Sequence, residues 1–169
     1  MSFENKLRFA KSPPEVFLVA RAATLLFAIP PLLKLMDIER IVQKLTPVPP
    51  PPANEALPEE RITHLCHRTI SFLRRVSYRP NCLRRSLLLY HCLRVHGIPV
   101  IIHFGVKRRE EMLEGHCWLT LSGSLYHEHP EMVSQFTHMF SLPASGTNGT
   151  DRHAPKEPPP DMRGVSFDG

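Results

Sequence analysis

The sequence lacks several features that would point it elsewhere. Its 4 cysteines contain no C-x-x-C pair and do not follow the spacing of a small secreted disulfide scaffold. His64-Leu65-Cys66-His67 offers metal-ligand types, but His64 and Cys66 fall on different sides of a helix, so no metal site and no cofactor are expected. There is no signal-peptide pattern, since Glu4 and Lys6 are followed by more charge and by Pro13-Pro14; free thiols in a cytoplasmic setting are expected. No long run of Lys or Arg accompanies the net charge of +5, so a nucleic-acid partner is not indicated, although the basic balance suits an acidic peptide. No aspartate occurs between Asp37 and Asp151, which excludes aspartate as the acid of any site built there.

What the chain does have is apolar residues, at 42%, and 18 prolines in 169 residues. The prolines cluster, and the clusters divide the chain: apolar helices over 1–45, a Pro-rich linker over 46–58, a core over 59–143, and a disordered tail over 144–169. Ser12 and Pro13-Pro14 start the first helix, which is expected to break or kink at Pro30-Pro31 because proline brings no N–H to the ladder. A second helix is then expected from Leu32 to Leu45. Val16 to Met36 is long enough to span a bilayer, but Arg21, Lys34 and the mid-run prolines argue against spanning. Packing on the core is the favoured reading, and contact with a membrane surface or a partner the less favoured one.

After the linker, Glu59 and Glu60 open a helix whose apolar series (Ile62, Leu65, Cys66, Thr69, Ile70, Leu73, Val76) recurs at helical spacing and is expected to end near Ser77. Next comes the stretch that carries chemistry. Asn81 is a good N-cap, Cys82 opens the helix, Gly97 closes it and Pro99 forbids continuation. Cys82 shares a stripe with Ser86, Leu89 and Leu93, so its thiol faces a covered surface, and the helix macrodipole favours its thiolate. Alone, Cys82 would read as an ordinary buried cysteine.

The texture then changes to period two. Ile98 to Val106 reads as a strand, Lys107 to Gly115 as a charged loop, and His116 to Leu121 as a strand. Ser122-Gly123 is a tight turn, and Leu125 to Glu128 the return strand. Pro130 to Phe136 is expected to hold one helical turn and Thr137 to Leu142 a last strand. The fold class is α+β, the cysteine helix packing on an antiparallel meander. A nucleophilic cysteine needs a base and a group to orient that base. His116, opening its strand, and Glu128, returned by the hairpin toward the same end, are the candidates; a surface histidine and a solvated carboxylate are the plain alternatives.

Cys82-Leu83-x-Arg85-Ser86-Leu87, His96-Gly97-Ile98, Gly105-Val106 and Gly115-His116-x-Trp118-Leu119 together resemble the transglutaminase-like leader peptidases, the B proteins of lasso-peptide biosynthesis. The resemblance covers roughly Pro14 to Pro143. It implies a papain-like cysteine protease core with Cys82 as nucleophile and His116 as base. The acid falls at Glu128, where that family usually carries aspartate. Arg85 and Trp118 would touch substrate. Cys117 stands where a small apolar residue is more usual, and reads as packing. The implied partners are a precursor peptide with its leader, a separate leader-recognition protein and an ATP-dependent cyclase that closes the lasso. A non-catalytic precursor-binding scaffold and a transglutaminase-like amide transfer are the competing readings.

Overall fold

The computed structural model describes residue 10 and residues 12–47, 57–75, 78–110, 112–143 and 167. The expected lead-in before Ser12, most of the linker, the expected helix end at Val76 and Ser77 and, apart from Phe167, the tail over 144–169 lie outside the described residues.

Helix α1 spans Pro13–Leu35, so Pro30 and Pro31 do not break it. Pro30 withholds the N–H that would meet the Leu26 carbonyl, and the hydroxyl of Tyr78, two helices further along the chain, donates to that carbonyl instead. The Tyr78 ring also packs on Phe27 at a centroid distance of 4.9 Å. The interruption comes later, at Met36 and Asp37, and α2 is the short helix Ile38–Leu45. Helix α3 spans Glu59–Arg75 and helix α4 spans Cys82–Val95.

One face of α1 (Leu18, Val19, Ala22, Leu26, Ile29) is buried with α3 and α4 in a single hydrophobic core that α2 also enters through Ile41, Val42 and Leu45. Polar contacts fix the same face: Glu15 accepts from Arg61 of α3 at 2.6 Å, and Arg21 donates to His91 of α4 at 2.8 Å. By length and composition α1 is apolar enough to cross a membrane. Val16, Phe17, Phe27 and Leu35 are exposed on its other side.

The sheet is antiparallel, with β1 at Ile101–Arg109, β2 at Met112–Leu121, β3 at Ser124–Tyr126 and β4 at Thr137–Leu142. Its order is β3-β2-β1-β4, so the last strand crosses to pair with β1, and the arrangement is not the simple meander expected. A short helix, α5 (Pro130–Val133), lies in that crossover.

The charged stretch expected as a loop is instead the far end of a hairpin, with Lys107 opposite Glu114 and Arg109 opposite Met112. The Glu114 carboxylate lies 3.4 Å from Lys107 and 3.9 Å from Arg109, opposite charges that suit neighbouring strands. Glu110, at φ 57, makes the turn.

Alternation sorts the two faces of the sheet. Ile102, Phe104, Cys117, Leu119, Phe140 and Leu142 join the core on the α4 side. On the other face lies a row of rings: Phe136, His116, Trp118, His103 and His138, each within 5.0–6.1 Å of the next. Gly105 lies beneath that row because a Cβ there would sit 2.9 Å from the Trp118 ring.

Candidate active site

Asn81 accepts a hydrogen bond from the Arg84 N–H at 3.2 Å, the N-cap that makes Cys82 the first residue of α4. From that position the side chain is directed at β2, where Ser86, one turn on, donates to the Cys117 carbonyl at 3.0 Å and holds helix against strand. Strand β3 pairs with β2 only at Leu119–Leu121, so the edge of β2 at His116 has no pairing partner from β3. After Tyr126 the left-handed His127, at φ 53, turns the chain out of strand geometry. Glu128 is thereby brought to that edge, and its carboxylate lies 3.8 Å from His116 Nε2. Cys82, His116 and Glu128, far apart in the chain, therefore converge.

The electrostatics follow from this convergence. Interaction with the Cys117 thiol, followed by His116, outweighs burial and brings the Cys82 thiol down to about 5. The Cys82 sulfur and then the Glu128 carboxylate raise the His116 imidazole to about 9. These two influences favour opposite charges near neutral pH, a thiolate beside an imidazolium. His116 Nε2 is buried and makes no hydrogen bond, because 3.8 Å from Glu128 is too long for one. Such contacts in an unliganded site commonly shorten when substrate arrives.

Of the two residues expected to touch substrate, Arg85 lines the site and Trp118 lies behind it. Arg85 joins Cys82, Ser86, His67, His127 and Glu128 around a small, partly open hollow of about 20 Å³. Trp118 is 5% exposed, stacked between His116 and His103. Its body fixes the plane of the catalytic candidate His116 and offers little surface to a substrate.

Two contributors were not foreseen. Cys117 does more than pack: fully buried on the α4 side of β2, it is the largest influence drawing the Cys82 thiol down. Its own thiol is pushed up, chiefly by burial, and so stays protonated. Its adjacency to His116 was the available signal. Phe136, stacked on His116 at 5.0 Å, comes from the α5–β4 junction and carried no signal in the sequence. Among the described residues, no group of three or more His, Cys, Asp or Glu side chains converges as a metal site.

Comparison with curated proteins and with solved structures finds no match. A family model does match, and it covers residues 23–141, more than half of the chain. The match opens within α1 and closes in β4, so it takes in the cysteine helix, the whole sheet and both ends of the convergence described above. The chain belongs to the transglutaminase-like superfamily.

Proposed function

We propose that this protein is a cysteine peptidase that removes the leader from a ribosomally made lasso-peptide precursor. The observation that carries the peptidase reading is the convergence of Cys82, His116 and Glu128 on one edge of β2 beside a partly open hollow. The leader-peptidase refinement rests on the resemblance of the Cys82–Leu87 and Gly115–Leu119 motifs. In this reading the Cys82 thiolate attacks the carbonyl at the leader–core junction. The oxyanion is met by the Cys82 backbone N–H at the start of α4. The His116 imidazolium then gives its proton to the departing core amine, leaving the leader as an acyl-enzyme. Neutral His116 takes a proton from water as the water attacks the thioester, which frees the leader acid and the Cys82 thiolate and restores the thiolate–imidazolium pair. Glu128 orients the ring throughout, and Arg85 at the rim meets the peptide.

The freed core, with its new N-terminus, would pass to an ATP-dependent cyclase, and a separate leader-recognition protein would deliver the precursor. The test combines the protein, a leader-recognition protein and the precursor, and weighs the products. Free leader plus free core supports the reading; intact precursor, or an amine adduct in place of the acid, overturns it. Cys82→Ala is expected to abolish cleavage while retaining precursor. Glu128→Gln is expected to reduce kcat, by up to about the hundredfold at the low end of what general acid–base catalysis contributes, since Glu128 acts by orienting His116.

A further inference from the structure

Beyond Pro143 the structure describes Phe167 alone. Its side chain is half-buried against the hydrophobic core, and its carbonyl oxygen lies 3.1 Å from Cys82 Sγ. A carbonyl oxygen only accepts, so this contact requires the sulfur to keep its proton and donate. His116 and Cys117 ask the opposite of the same atom, since both favour the thiolate. The contact is therefore a holding one. Attack would need the sulfur on a carbonyl carbon, with the oxygen turned toward the Cys82 N–H.

We propose that Phe167 is a built-in occupant of the peptide-binding site, seating its aromatic side chain on the core and its backbone carbonyl on Cys82. This rests on the reading of Cys82 as the attacking group. It adds that the site binds peptide backbone with an apolar residue at the carbonyl that meets the sulfur, and that the chain's own Phe167 holds the place. A substrate must displace it. A tethered occupant acts at an effective concentration on the order of millimolar, so a weak contact suffices to keep the site filled.

Alkylation of Cys82 by iodoacetamide, read by mass spectrometry on the full chain, tests this without any cleavage assay. Cys66, Cys92 and Cys117 are all fully buried, and a Cys82→Ala control sets the background. If Phe167 occupies the site nine-tenths of the time, labelling of Phe167→Asp should be about tenfold faster than wild type. The chain ended after Ser166 should match that variant, which covers the case in which Phe167→Asp fails to fold. The peptide Val-Ser-Phe-Asp-Gly, added at millimolar concentration, should slow labelling of the variant again, while Val-Ser-Asp-Asp-Gly should not. Equal rates in wild type and both variants would overturn the proposal, as would faster labelling that the Phe peptide fails to suppress. Protection without cleavage of any precursor leaves this inference standing and removes the peptidase reading; cleavage without protection does the reverse.

Discussion

The reactivity of this site is decided between individual side chains, and one residue shows how finely. The Cys82 sulfur is drawn toward the thiolate by the Cys117 thiol and His116, while the Phe167 carbonyl at 3.1 Å asks for its proton. With the carbonyl displaced, the first two set the charge state. The thiolate forms as pH rises through about 5, and the imidazolium is lost as pH rises through about 9. Because attack needs the first and leaving-group protonation the second, kcat/KM is expected to follow a bell with limbs near those values. Cys117→Ala removes the thiol that dominates the acid limb, and should move that limb upward while the alkaline limb stays. A pH profile of both proteins checks this, and an unmoved acid limb would return Cys117 to a packing role.

At the scale of elements, α1 shows why local rules and tertiary contacts part company. A proline pair in a helix costs a hydrogen bond, and the sequence carries that cost plainly at Pro30-Pro31. What it does not carry is the compensation, since the Tyr78 hydroxyl arrives from beyond α3 to satisfy the Leu26 carbonyl. Tyr78→Phe keeps the ring against Phe27 and removes only the donor, leaving the Leu26 carbonyl without its partner beside the proline pair. It is expected to cost about 1–3 kcal/mol, measured by urea unfolding, with helicity lost from α1. The same distinction runs through the rest of the fold. The cysteine helix was legible to within a residue because its signals (Asn81, Gly97, Pro99) are local. The hairpin ends at Lys107–Arg109 and Met112–Glu114 were not, because charged strands carry no apolar alternation and are paired by each other. The crossover of β4 to β1 was hidden for the same reason, being a choice among edges that no residue of β4 announces. Cys82, His116 and Glu128 could be named from their spacing and resemblance. The left-handed turn at His127 that delivers Glu128 could not, since histidine gives little warning of positive φ.

Across the whole molecule, the helical layer and the sheet share one core, and a single histidine joins three of the helices that build it. His91 of α4 receives a hydrogen bond from Arg21 of α1 on Nε2 and donates from Nδ1 to the Leu45 carbonyl at the end of α2, at 2.7 Å. The Arg21 contact needs the neutral ring, since a protonated Nε2 would face the guanidinium with no lone pair to offer, whereas the Leu45 contact survives protonation. Burial, reinforced by the charge of Arg21 and by His96, accordingly holds its pKa below the ordinary 6.5, against the opposing pull of the Leu45 carbonyl. The sign follows from linkage: as pH falls below 6.5 the unfolded chain takes up the proton first, so the unfolded state gains and stability declines. Above 6.5 the ring is neutral in both states and its contribution is fully present. His103, held down to about 4 by its own burial, acts in the same direction, so the effect must be isolated by substitution. His91→Asn keeps a donor for the Leu45 carbonyl and cannot titrate. The loss of unfolding free energy between pH 7 and pH 5 is expected to be smaller in that variant than in wild type, while its stability at pH 7 falls because Arg21 loses its acceptor. Urea midpoints at the two pH values decide the matter, and parallel losses in both proteins would show that the three-helix junction does not sense protons through His91.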